Sequence, residues 1–217
     1  MKKLFLTFAI LSLISISTLN AQKVFTGTIE YEITYPGTEV NPMIAAYLPS
    51  SAVLTFGTNK CKTVQASSVM STVIIVDGDE NLFYILFNGM GQKLMAKESI
   101  DTDELNNAKP EMKVYDGETK TIAGYECVKT EVIVDDGSGK TNSYFGYFSS
   151  DIYNPTYALA GDLGTEGIPL EIDIEMGEMK MKMIAKKVKQ SKIKDSEFSI
   201  PEGYTEVSMD ALQNMGM

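Results

Sequence analysis

The chain has 217 residues, of which 44% are hydrophobic and 22% charged, and a net charge of −10. It contains no histidine and all 19 of its basic residues are lysine, which excludes histidine-based triads, histidine-bound zinc and bidentate guanidinium clamps on phosphate or carboxylate. The acidic balance argues against nucleic acid and against anionic membrane surfaces.

Residues 1–21 read as a signal peptide. Lys2 and Lys3 give the positive start, Leu4 to Ile16 the apolar core, and Leu19-Asn20-Ala21 a small-residue cleavage site before Gln22. The apolar run is too short for a membrane span, and no second one of that length follows. No cysteine follows the cleavage point directly, so a lipid anchor is not expected. Removing a segment with two lysines and no acid leaves 17 lysines against 29 acids, a net −12. The expected product is a single soluble domain over 22–217, exported to the periplasm or beyond, with no transmembrane segment.

Strand patterning begins at once. Phe25, Gly27, Ile29, Tyr31, Ile33 and Tyr35 alternate with Thr26, Thr28, Glu30, Glu32 and Thr34, the period of a half-buried strand. Asn41-Pro42 marks a helix start, and Pro49 limits that helix to about Pro42–Leu48. Ala52–Lys62 and Val69–Val76 read as strands joined through Gln65-Ala66-Ser67-Ser68, and Asp77 to Asn81 as a turn. Leu82–Phe87 is a further strand, Asn88-Gly89 gives a strong hairpin signal, and Gln92–Lys97 returns antiparallel. Ser99–Met112 is acidic and aperiodic and reads as a long loop with at most one helical turn.

Tyr125–Val134 and Thr141–Ser149 form a strand pair around Asp135–Lys140. Asn154-Pro155 repeats the helix-start signal for Thr156–Ala160, and Gly161, Gly164 and Gly167 mark the following loop. A two-residue turn at Gly177-Glu178 then sets Glu175 opposite Lys180 and Asp173 opposite Lys182 on one face, with Ile174 opposite Met181 and Ile172 opposite Met183 on the other. A slip of one residue would carry lysines into the apolar face, so this register is expected to be firm. Ser208 is the expected cap of a short C-terminal helix, whose Met209, Leu212 and Met215 either cover an apolar opening or pack on the sheet. Nine or ten strands and two or three short helices define a mainly β (α+β) fold built on an antiparallel sheet.

Few residues suggest chemistry. The turn at Asp77 lacks the glycine and glutamate of a calcium loop, having Leu82 and Asn88 at those positions. Gly139-Lys140-Thr141 resembles the end of a phosphate loop, but its first glycine is replaced by Val134. No nucleophile elbow is present. No metal set, cofactor or catalytic group emerges, and the chain reads as non-enzymatic. The basic run Lys186, Lys187, Lys189, Lys192 and Lys194 is either a solvated strand end or a patch for an anionic group. Cys61 and Cys127 form one disulfide if their side chains come within reach, or remain two separate, partly buried thiols.

Three segments resemble the DUF4412 family of secreted bacterial domains: Lys120-Thr121-Ile122-Ala123-Gly124-Tyr125-Glu126-Cys127, Gly167-Ile168-Pro169-Leu170-Glu171 and Phe198-Ser199-Ile200-Pro201-Glu202-Gly203-Tyr204. The GLPGLI family of secreted proteins is a more distant likeness. This resemblance implies a fold similar to the lipoprotein carrier LolA, a strongly curved, unclosed antiparallel sheet with short helices over its concave side. The carrier's functional arginine has no counterpart here. Relatives of that fold hold acyl chains in the hollow, which here would be lined by Ile29, Tyr31, Ile33, Ile172, Ile174, Met181 and Met183. The expected partner is a lipid or other apolar ligand. The alternative is a filled core and a protein partner in the cell envelope.

Overall fold

The computed structural model describes residues 23–37, 41–101, 110–135, 141–159, 167–176 and 179–214. The segment expected to be a signal peptide, most of the turn at 135–140 and the turn at Gly177-Glu178 lie outside them. The strands are β1 Gly27–Thr34, β2 Ser51–Phe56, β3 Lys60–Ala66, β4 Met70–Asp77, β5 Leu82–Gly89, β6 Gln92–Ser99, β7 Glu111–Ile122, β8 Tyr125–Asp135, β9 Thr141–Tyr153, β10 Gly167–Met176, β11 Met179–Gln190 and β12 Thr205–Glu206. Among the described residues the helices are α1 Pro42–Ala45, α2 Thr156–Leu159 and α3 Met209–Gln213, and a turn of 3-10 helix spans Asp195–Phe198.

All twelve strands form one curved, unclosed sheet in the order β12-β6-β5-β4-β3-β2-β1-β11-β10-β9-β8-β7. Neighbours are antiparallel throughout, except that β12 lies parallel to β6. Bulges bend the sheet at Glu30/Tyr31, between Gly167 and Glu171, and between Val114 and Thr119, since an unpaired extra residue raises the local twist. One buried cluster therefore joins side chains of β1–β4, such as Ile29, Leu54, Phe56 and Val76, to Ile122, Cys127, Ile152 and Leu170 from the far strands.

The helix starts follow the sequence. The Asn41 side chain accepts from Met43 N at 2.9 Å, with Pro42 in the first helical position. Asn154 does the same for Thr156 N at 2.9 Å. Ser208 caps α3 by accepting from Ala211 N at 3.2 Å. Tyr157 and Leu159 of α2 pack on the main cluster and Leu212 of α3 on a smaller one, whereas Met43 and Ile44 of α1 stay exposed. Of these described helices, α2 and α3 thus cover the sheet.

Four expectations are corrected. The stretch Ala52–Lys62 is two strands, because Gly57-Thr58-Asn59 turns the chain and Gly57 N bonds Lys60 O at 2.8 Å. The β5–β6 turn falls on Met90-Gly91, not Asn88-Gly89, with Gly89 paired to Gln92. That register sets Leu86 against Met95 and Phe87 against Leu94, apolar pairs that a turn two residues earlier would lose. The segment from Glu111 is strand β7, an edge whose charged, mostly exposed side chains give no period. The described residues form twelve strands, not nine or ten, including the parallel β12.

After β11 the chain wraps round the β6 edge. Ile193, Phe198 and Tyr204 pack with Ile75 and Leu86 on one face of β4–β6. Val207, Met209 and Leu212 then pack with Phe87 and Ala96 on the other. Phe198 and Tyr204 begin and end the third resemblance motif, so that motif anchors the wrap.

Candidate functional site

The apolar face expected from the sequence is assembled by pairing that no local pattern shows. β11 sits between β10 and β1. Met183 consequently pairs with Ile172 on one side and Ile33 on the other. Met181 pairs with Ile174, and Tyr31 with Ala185. The β10–β11 register agrees with that read from the alternation of charge and apolar residues. A row of apolar side chains thus crosses three strands, although its two halves are over 130 residues apart.

The face is not uniform along its length. Ile29, Tyr31, Ile33 and Ile172 are buried. Ile29 and Tyr31 belong to one buried cluster with Phe25, Leu54, Phe56, Ile152, Ile168 and Leu170. Phe56 meets Phe25 and Tyr157 edge-on, with ring centroids at 6.0 and 6.1 Å. The Tyr31 hydroxyl donates to the Pro169 carbonyl at 2.8 Å, which satisfies a polar atom that burial would otherwise penalise. Burial holds the Tyr31 phenol well above its ordinary pKa. Ile174, Met181 and Met183, toward the β10–β11 turn, are only half-buried. Of the seven expected lining residues, those three alone form an accessible apolar surface, which continues the packed core to the end of the sheet.

A charged group occupies β7, β10 and β11. Glu171, with 5% of its side chain exposed, lies 2.5 Å from Lys120 and 2.8 Å from Lys182. Lys120 also stands 4.1 Å over the Tyr147 ring, a cation–π contact. Burial works against the Glu171 carboxylate, but hydrogen bonds from Lys120 and Lys182 outweigh it and hold the carboxyl below its usual range. Lys120 begins the first resemblance motif and Glu171 ends the second, so the two motifs meet in this contact. The sequence offers the two residues with no sign that they touch.

The remaining candidates resolve simply. Asp77 bonds Lys60 at 2.6 Å, while its other oxygen accepts from Asp79 N and Glu80 N, so the turn's principal carboxylate is engaged within the protein. Among the described residues no group of three or more Cys, Asp or Glu is placed to hold a metal ion. Lys186 and Lys187 of the basic run pair with Glu32 and Glu30 at 2.6 and 2.8 Å. No helix among the described residues is long and apolar enough to cross a membrane.

Cys61 and Cys127 are both buried, free thiols. Burial pushes the Cys61 thiol up to about 12 and the Cys127 thiol up to about 11. Since the thiolate is the reactive form, neither is expected to react with iodoacetamide in the folded protein at pH 8. Both are expected to be labelled in denaturant without reductant, with mass spectrometry counting the adducts. An unfolded, unreduced chain that takes no label would instead reveal a bridge.

No family model matches the chain, and no curated protein matches it. Solved structures with a similar course include the lipoprotein LppX of Mycobacterium tuberculosis, at 12% identity and a TM-score of 0.35, covering 75% of this chain and 86% of that one. LprF of Mycobacterium bovis is similar at 10% identity and a TM-score of 0.36, covering 82% and 90%.

Proposed function

We propose that the protein is an exported, non-enzymatic binding domain that holds an acyl chain or a comparable apolar ligand against the half-buried end of its concave face. One observation carries this reading: the apolar row across β1, β11 and β10 passes from buried Ile33 and Ile172 to accessible Ile174, Met181 and Met183. Methionine suits such a surface because its unbranched, polarizable side chain adapts to varied apolar shapes. Export rests on the N-terminal signal pattern, and membership of the DUF4412 group on the three motifs quoted above.

Native mass spectrometry of protein taken from the exported fraction tests the ligand. A bound mass that dissociates to an organic-extractable lipid is expected, with lower occupancy in Met181→Ser and Met183→Ser. Ligand-free protein, with both variants merely less stable, would favour a filled core. The function would then be that of an envelope interaction module.

A further inference from the structure

The two ends of the sheet differ in chemistry. One end carries the β1–β2 connection and the β3–β4, β5–β6 and β10–β11 turns, as the pairs Glu32–Ser51, Ala66–Ser71, Gly89–Gln92 and Met176–Met179 establish. The opposite end carries the turns at Gly57–Asn59, Gly78–Asn81 and Ala123-Gly124, with Asp79 and Glu80 exposed.

At the first end the β10–β11 turn is flanked by the exposed Glu175–Lys180 ion pair, but in the β1–β2 connection and the β3–β4 and β5–β6 turns, positions that turns normally give to polar residues present apolar ones. Met43 is 75% exposed, Ile44 53% and Tyr47 42% in the β1–β2 connection. Val69 is 48% exposed in the β3–β4 turn, and Met90 71% in the β5–β6 turn. Met70 pairs with Gly89, so Val69 and Met90 stand side by side. Ser50 N bonds Ala66 O, so the β1–β2 connection borders the β3–β4 turn. The result is one apolar rim over about 20 Å, at about 4.8 Å per strand. It lies at the same end as half-buried Ile174, Met181 and Met183.

Met90 sits here at a conformational cost. Its φ is 52° and that of Gly91 is 76°, the left-handed pair of a hairpin turn that favours asparagine or glycine in the first position. A long side chain in a strained, exposed turn position breaks a local folding rule with no packing gain, and such breaks concentrate at working surfaces. Charge supplies a second signal. No charged residue occurs in the ten positions from Asn41 to Ser50 of the β1–β2 connection, in Ser67–Val69 or in Met90-Gly91, in a chain that is 22% charged overall.

We infer that this rim seats the protein on a neutral, zwitterionic lipid surface, with Met43, Ile44, Tyr47, Val69 and Met90 entering the headgroup boundary. Separate tips on adjacent turns suit a fluid interface that closes round each of them, and tyrosine is at home at that depth. The net charge of −10 opposes an anionic surface. Five exposed apolar residues on connections without charge at Asn41–Ser50, Ser67–Val69 and Met90-Gly91, on an acidic body, therefore select neutral lipid. The inference goes beyond ligand binding, because seating needs nothing in the hollow.

Co-sedimentation with phosphatidylcholine vesicles tests it, using the protein as isolated from its native host. The wild type is expected to partition onto the vesicles. Met43→Ser/Ile44→Ser/Met90→Asn should partition at least tenfold less, and Met90→Asn alone should keep or raise the melting temperature, since asparagine prefers that turn position. Adding phosphatidylglycerol at low salt should weaken wild-type binding, and salt should restore it. Equal partitioning of wild type and triple variant overturns the inference. So does a wild type that ignores phosphatidylcholine, or one that sediments only after envelope proteins are added, which would give the rim to a protein partner. A protein that binds vesicles yet carries no ligand in native mass spectrometry keeps the rim and loses the hollow, so the two readings fail separately.

Discussion

Replacing Asn154 with alanine is expected to cost about 3–5 kcal/mol and to lower the melting temperature by about 6–20 °C. Asn154 is wholly buried. Its Nδ2 donates to Phe25 O at 2.9 Å and Gly57 O at 3.0 Å, and its Oδ1 accepts from Thr156 N at 2.9 Å. One side chain thereby ties the approach to β1, the β2–β3 turn and the start of α2, which are distant in sequence. Truncation leaves buried carbonyls and an amide without partners, each carrying a desolvation penalty of about 1–3 kcal/mol. Asn154→Asp separates this account from simple loss of packing. Its shape is unchanged, but a carboxylate would face two carbonyl oxygens, and burial would raise its folded pKa above the unfolded value. The penalty should be full above that raised pKa and shrink as pH falls through it, whereas the alanine penalty should not. Calorimetry between pH 5 and 8 reads both. An alanine variant that melts within about 2 °C of wild type would remove Asn154 from this role.

Helix caps and the β10–β11 hairpin were legible because their signals are local. Asn before Pro fixes a cap and a φ at adjacent positions. Lys180 and Lys182 facing Glu175 and Asp173, with methionines facing isoleucines, leave only one register that keeps charge out of the apolar face. Local signals misled where distant packing decides. Asn88-Gly89 is the better turn dipeptide, but the facing strand supplies Met95 and Leu94 for Leu86 and Phe87 only when the turn moves to Met90-Gly91. β7 gives no pattern because an edge strand has little apolar face to display.

The site divides in the same way. Each strand of the apolar face was readable alone. Its depth was not, because burial of Ile29 and Tyr31 depends on Phe25, Phe56, Ile152 and Leu170 converging from four other segments. The hairpin's own alternation marks Ile174, Met181 and Met183 as apolar, but says nothing of which end of the sheet stays open. The rim was invisible for a further reason. Met43, Val69 and Met90 become neighbours only through strand order, and an isolated exposed methionine carries no meaning in a sequence.

Glu171→Gln is expected to destabilise the fold by about 1–3 kcal/mol at pH 7. Removing one partner from a fully buried pair costs more, about 3–5 kcal/mol. Here the lysines keep 37% and 29% of their side-chain exposure, and water screens them once the carboxylate is gone. The pH dependence follows from the depressed folded pKa. The wild-type advantage should be complete above the unfolded carboxyl value of about 4.3 and vanish as pH falls through the lower folded value. Urea unfolding at pH 7 and at successively lower pH below the unfolded carboxyl value follows the loss of that advantage. A further variant identifies what the group is for. If Lys120, Lys182 and Glu171 act only to clasp β7 to β10 and β11, then Lys120→Met/Glu171→Leu/Lys182→Met should regain most of the lost stability. The ligand occupancy and vesicle partitioning of that variant should match wild type, because neither the apolar row nor the rim includes these residues. Recovered stability with lost occupancy would instead make Lys120 and Lys182 part of the binding site, with Glu171 holding them in place until an anionic group on the ligand arrives.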